Sequence, residues 1–300
     1  MRHTIFAGLV LVLLGGGLVG CGPERNADTA GAGAGPTVVV TIHPVASLMR
    51  MMAGPAANVI ELLPAGVSPA TYDPTPLAAR EVASARVVVR VGGAIDDWVA
   101  GITEDSDVPV VVLTAGMQLE GATDQPGTGN PHVWLDPILV RDTLLPRMLN
   151  ALEGVTPDSA AAMRRRAVAV ADSLTALDAQ IRTILSGIKS RDFVASHAAW
   201  DYFAARYGLV EVGVLHPSPG QELGARELAG LVNDARRLHV AGVIAEPQLG
   251  EAGVKALAAE LKLPVAIADP LGATGLPGRD SYFDLMRYDA HAFARALGAG

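Results

Sequence analysis

From Val38 onward the chain alternates short β-branched runs with longer stretches in which apolar residues recur every three or four positions. VVVTI (38–42), NVIELL (58–63), RVVVRV (86–91) and PVVVL (109–113) read as strands, with SLMRMMAG, PLAAREVASA and DDWVAGI as the helices between them. The pattern then repeats. DFVAS (192–196), LVEVGVL (209–215), VAGVIAE (240–246) and PVAIA (264–268) are strand-like, separated by helical stretches at 199–207, 225–238 and 252–261 and followed by one at 283–297. Strands that are apolar almost throughout and spaced by helices indicate parallel sheets covered on both faces. The expected fold class is therefore α/β, in two lobes.

A single long helical segment lies between the halves. Thr156-Pro157-Asp158 starts it well, with a capping hydroxyl, proline at the first helical position and an acid in the first turn. Met163, Ala167, Val170, Leu174, Leu177, Ile181 and Ile184 then form one apolar stripe. A helix of about 30 residues spans roughly 45 Å, enough to run along both halves as a rigid link.

The beginning of the chain follows another pattern. MRHTIFAGLVLVLLGGGLVGC has a basic start, an apolar stretch and small residues before Cys21. This reads as a secretory signal, too short and glycine-rich for a stable membrane span. Leu18-Val19-Gly20-Cys21 resembles a bacterial lipobox, which makes Cys21, the chain's one cysteine, the candidate lipidation site. With no intramolecular partner for a disulfide, anchoring explains it better than packing. GPERNADTAGAGAGP (22–36) reads as a flexible tether. The expected organisation is a signal peptide at 1–20, lipidated cysteine and tether at 21–36, N-terminal lobe at 37–155, linking helix at 156–188 and C-terminal lobe at 189–300.

Composition narrows the function. Half of the 300 residues are hydrophobic, the net charge is −8 and the 23 basic residues are scattered, so nucleic acid is not an expected partner. Ligands of open parallel sheets gather at the carboxyl ends of strands. Those ends carry His43, His197, His216, Glu246 and Asp269, while His132 lies in a loop, GNPHVWLDP. Imidazole with carboxylate is the donor set of zinc, less often of manganese or iron. The motifs of the common enzyme classes are missing: no HExxH, GxSxG, GxxxxGK[ST], or GxGxxG after a strand. Glu246 is the one obvious general base for a zinc hydrolase, and the expectation is that this is not an enzyme.

Several stretches together resemble the extracytoplasmic metal-binding proteins of zinc and manganese ABC importers, the group that includes the high-affinity zinc-uptake binding protein. They are TIHPVASLMRMMAG, LLPAGVSPATYDPTP, NPHVWLDP, SHAAWDYFAARYGL, AEPQ, ADPLG and YFDLMRY, in that order over nearly the whole mature chain. The resemblance implies two α/β lobes joined by one rigid helix, with a metal between them. It implies His132, His197 and Asp269 as ligands, an ABC permease membrane subunit as partner, a monomeric receptor, and a location outside the cytoplasm, anchored to the membrane by lipid.

One position departs from the family. Its first ligand is the histidine of a tract like SPHTYEP, and here Ala70 stands there, in SPATYDP. Three outcomes remain open: water completes the site, another side chain such as His43 (with Asp73 and His216 behind it) moves in, or metal binding is lost. In the last case the chain is a metal-site-degenerate surface lipoprotein, an adhesin or accessory factor on the same scaffold. Nitrogen donors outnumber oxygen donors, which puts Zn²⁺ ahead of Mn²⁺. The interval before His132, GATDQPGTGN, is short and carries no histidine, so no metal-gathering loop is expected.

Overall fold

The computed structural model describes Met1 and residues 35–104, 106–123, 128–217 and 221–298. The signal peptide after Met1, Cys21 and all but the last two residues of the tether lie outside them. The valine-rich runs form strands because branching at Cβ suits a pleated surface better than a helix. β1 (Thr37–Val40), β2 (Asn58–Glu61), β3 (Val87–Arg90) and β4 (Val110–Val112) pair in parallel in the order β2-β1-β3-β4. α1 (His43–Ala53), α2 (Pro76–Ser84) and α3 (Trp98–Thr103) connect them. A first helical turn α4 (Pro137–Leu139), a π turn (Val140–Leu144) and α5 (Leu145–Val155) then lead to α6 (Ala160–Leu185).

The second sheet repeats the first. β5 (Asp192–His197), β6 (Val210–His216), β7 (Gly242–Ala245) and β8 (Val265–Ile267) pair in parallel in the order β6-β5-β7-β8. α7 (Asp201–Tyr207), α8 (Ala225–Arg237) and α9 (Glu251–Leu261) connect them, and α10 (Tyr282–Ala296) closes the fold. In both sheets the chain order reverses beside the first strand, so each has a switch point between its two central strands. Such points open crevices at the carboxyl ends of the strands.

Alternation along the strands decides which side chains meet. Val38 and Val40 of β1 enter the main core, while Val39 faces a smaller cluster with Leu62, Val82 and Val88. Phe193 and Ala195 of β5 likewise enter the main core, and Val194 faces Leu215 and Leu257 on the other side. The main core is continuous through both lobes: Val40, Leu48, Leu174, Phe193 and Phe293 belong to one buried cluster. α6 makes it so by packing on α1 and on α10.

The stripe on α6 is buried at Met163, Ala167, Val170, Leu174, Leu177, Ile181 and Leu185. Ile184, expected at its end, is only half-buried. Steps that average 3.5 residues drift around a helix of 3.6 residues per turn, and a closing step of four returns to the core face. The helix has 26 residues and so spans about 39 Å. Among the described residues no helix is long and apolar enough to cross a membrane.

A core shared by two lobes melts as one unit. Leu177 is 1% exposed, and Leu177→Ala is expected to cost about 2–5 kcal/mol. In calorimetry the variant should show one transition at lower temperature; two separated transitions would mean that the lobes are cored independently.

Candidate metal centre

The loop carrying His132 is braced before it carries anything. The Asn130 side chain accepts from the His132 backbone N–H at 3.0 Å and from His132 Nδ1 at 2.7 Å. Its amide nitrogen donates to the Ala198 carbonyl and to Asp201 Oδ2, both at 2.8 Å. Further along the loop, Trp134 Nε1 donates to the Pro270 carbonyl at 2.7 Å, and Arg206 donates to Asp136 at 2.9 Å. Asp136 in turn caps α4 through the Ile138 and Leu139 N–H groups. The contacts to Ala198, Asp201, Pro270 and Arg206 each join a residue before α6 to one after it. Gly93 helps at the end of β3: at φ +66° its backbone lies so near Pro131 that a Cβ there would sit 2.9 Å from Pro131 Cβ.

His132 is 8% exposed. Burial first, and the neighbouring His197 second, hold its imidazole well below the usual histidine value, so the ring is neutral. Because Nδ1 donates its hydrogen to Asn130, the lone pair sits on Nε2.

His197 ends β5 and is oriented from the neighbouring strand. Its Nδ1 lies 2.7 Å from Glu246 Oε2, at the end of β7, and Glu246 also accepts from Ser196 Oγ and Trp200 Nε1. Glu246 thus acts as the carboxylate behind a histidine, the arrangement that sets tautomer and ring direction in metal sites. The sequence offers Glu246 as a general base; in the structure its oxygens are committed to these three donors.

The two rings lie 5.1 Å apart, centre to centre, at 68°. Two imidazoles on one tetrahedral Zn²⁺, with Zn–N bonds of about 2.0–2.1 Å and each nitrogen about 1.2 Å from its ring centre, place those centres about 5 Å apart. Both rings line one cavity of ≈ 450 Å³ in the crevice, whose wall also includes Ala70, Asn130, Gln248 and Leu271.

The other expected residues are placed differently. Ala70 is on the cavity wall and exposed, with only a methyl group to offer. His43 is 2% exposed and lines no part of the cavity. Its Nδ1 is 3.0 Å from Glu61 Oε2 and its Nε2 is 3.1 Å from the Asp280 carbonyl, so neither nitrogen is free for a metal. Asp269 lies behind the wall formed by Pro270 and Leu271. Its Oδ1 accepts from Gln248 Nε2 and from the Leu271 and Gly272 N–H groups, and its Oδ2 pairs with Arg279 at 2.9 Å. Asp73 is exposed on its loop, and His216 donates from Nδ1 to the Gln221 carbonyl at 3.3 Å, outside the cavity. Among the described residues no three His, Cys, Asp or Glu side chains are arranged to hold a metal ion. The structure therefore brings His132 and His197 together and leaves His43 and Asp269 engaged elsewhere.

The sequence profile of the family described as ZnuA, zinc-uptake complex component A periplasmic, matches residues 38–296. The zinc-binding lipoprotein AdcA of Streptococcus pneumoniae serotype 4 (strain TIGR4) is 29% identical over 269 residues, 85% of this chain and 52% of that protein. The chain thus spans about half the length of the curated relatives it matches. A crystal structure of ZnuA matches with a TM-score of 0.78 at 24% identity, covering 88% of this chain and 100% of that one. A periplasmic metal binding protein from Candidatus Liberibacter asiaticus, solved Cd-bound and Mn-bound, matches with TM-scores of 0.79 and 0.78 at 17% identity, over 88% of this chain and all of its own. At these identities the likeness between structures concerns the fold.

His132 at the site and Glu211 near the start of β6 tie stability to pH, with opposite signs. His132 is depressed when folded, so its contribution is complete above the unfolded value of about 6.5 and is lost as pH falls below it. His132→Asn should flatten the fall of the melting temperature in that window. Glu211 is pushed up to about 9 by burial, with Asp201 and Glu246 adding to it, and its Oε2 is buried with no partner among the described residues. The folded state holds that proton, and stability is lost from the unfolded value of about 4.3 up to 9. Glu211→Gln should melt above the parent at pH 8 and level with it at pH 4; an unchanged difference between the two pH values would show that Glu211 is ionised in the fold.

Proposed function

The chain belongs to the ZnuA family of periplasmic A components of zinc-uptake complexes, and from that premise we propose that it is the receptor of an ABC importer. It captures a divalent metal ion, Zn²⁺ first, in the crevice between its lobes and hands it to a membrane permease. It carries out no covalent chemistry and acts as a monomer. Cys21 is its lipid attachment point, residues 22–36 its tether, and its place is the outer side of the cell membrane. The name of the lipoprotein relative supports that anchoring.

One observation carries the reading: a buried imidazole and a half-buried one meet at the separation a shared tetrahedral ion requires. Each has its Nδ1 held by a polar partner, Asn130 or Glu246, which turns both Nε2 atoms toward the cavity. Two nitrogen donors favour Zn²⁺ over Mn²⁺, which prefers oxygen. Asp269 is the nearby carboxylate, and for it to become a ligand it must exchange Arg279 for the ion. Ala70 favours a second reading, a surface attachment protein that has given up transport.

Titration of the metal-free chain tests both readings. His132→Ala and His197→Ala should each lower Zn²⁺ affinity by about a hundredfold or more, and Glu246→Gln by about 10–100-fold through loss of ring orientation. Circular dichroism should show the fold intact in all three. If neither histidine substitution changes metal retention, the receptor reading fails and the attachment reading takes its place. Mn²⁺ binding as tight as that of Zn²⁺ would refute the choice of cargo alone.

A further inference from the structure

Counting donors raises a problem that the receptor reading leaves open. Zinc held for transfer takes four ligands, and a site with fewer protein ligands keeps open positions. This cavity offers two, the Nε2 atoms of His132 and His197. Ala70 cannot coordinate, both ring nitrogens of His43 are engaged, and Asp269 is held by Gln248, two backbone N–H groups and Arg279.

The space is too large for a bare ion. A volume of ≈ 450 Å³ falls within the range of about 300–1,000 Å³ of small-molecule pockets. Much of the wall is apolar, with Pro69, Ala70, Ile95, Leu249 and Leu271 contributing. Its charged groups are all acidic, Glu120, Asp201 and Glu246, and no Lys or Arg is among the described residues that line it. Gln248, also on the wall, has its Oε1 buried with no hydrogen-bond partner among the described residues, while its Nε2 is spent on Asp269. An unpaired buried acceptor beside a cavity costs free energy until a donor meets it.

These observations converge on one class of cargo. We propose that the chain takes its zinc as a chelate, one Zn²⁺ bearing one small bidentate amine–carboxylate ligand of the α-amino-acid type. This rests on the receptor reading above and adds to it the chemical form of the cargo. Two imidazoles and one bidentate chelator complete the tetrahedron. The chelator's amine, bound to zinc through nitrogen, keeps N–H groups to donate, and a turn of the Gln248 side chain brings its unpaired Oε1 to accept from them. Its single negative charge leaves the complex at +1, which suits a wall of carboxylates. The side opened by Ala70 gives the chelator its room.

Glycine is the probe, and acetate, a single-point carboxylate, its control. The metal-free full chain is titrated with Zn²⁺ alone, with Zn²⁺ and glycine, and with Zn²⁺ and acetate, and the product is weighed by native mass spectrometry. The expected result is an apparent zinc affinity about tenfold or more higher with glycine, one zinc and one glycine retained together, and no gain from acetate. Ala70→His restores a side-chain donor at an exposed position, so it should bind Zn²⁺ alone more tightly and lose the gain from glycine. A glycine that merely competes for zinc, or a complex of protein and zinc without glycine, overturns the chelate and leaves the receptor reading standing. Absence of zinc binding in every arm, with His132→Ala indistinguishable from the parent, overturns the receptor reading itself.

Discussion

The site depends on the side chain of Asn130. One oxygen receives both the His132 backbone and its ring, and one nitrogen reaches across to Ala198 and Asp201. The same group therefore chooses the histidine tautomer and holds the loop against the segment that follows β5. Because Asn130 carries no charge, this does not change with pH. The lone pair of His132 is aimed by a hydrogen-bond network that is complete without a metal, and a site ordered in advance loses less freedom when its ion arrives.

The crevice is preorganised on a larger scale too. α6 packs on α1 of the first lobe and α10 of the second, and one apolar core runs through both. Trp134 and Tyr282 add cross-links near the site, from Trp134 Nε1 to the Pro270 carbonyl and from Tyr282 Oη to the Trp134 carbonyl, each at 2.7 Å. Asp269 carries Arg279 as a counter-ion, and that guanidinium lies 5.0 Å over the Tyr288 ring. On the proposed receptor reading, a cation reaching Asp269 has to compete with this arginine for the carboxylate.

What was legible in the sequence follows from the range of the interaction that decides it. The strands could be read because branched residues between helical stretches settle the matter locally, and all eight lie where VVVTI and its counterparts put them. α6 could be read from its stripe, with an error of one residue at Leu185, but not from its start: the Thr156 hydroxyl donates to the Leu152 carbonyl instead of capping, and a 3-10 turn at Pro157–Ser159 precedes the helix. The rule that ligands gather at strand ends led to His197 and Glu246, though it could not tell the histidine from the carboxylate that orients it. His43 also obeys the rule, sitting just past β1, but its ring turns to Glu61 and to Asp280, a partner 237 positions away that no local pattern reveals. Asn130 went unnoticed although its place two residues before His132 invites a side-chain turn onto the backbone. The pairing of Asp269 with Arg279 was equally hidden, since it depends on the path of the loop between them.

Ala70, where the resemblance leads one to expect a histidine, leaves little trace in the fold. Truncating a buried coordinating residue normally strands its partners, and stranded polar groups are costly. Ala70 is exposed at the mouth of the cavity, so nothing behind it needs a partner. His132 and His197 are likewise satisfied at Nδ1 by Asn130 and Glu246, whatever stands opposite. By this argument an alanine at this exposed position strands no buried polar group. The fold persists as the same two-lobed scaffold, and on the chelate proposal the corner opened at Ala70 is filled by something the ion brings with it.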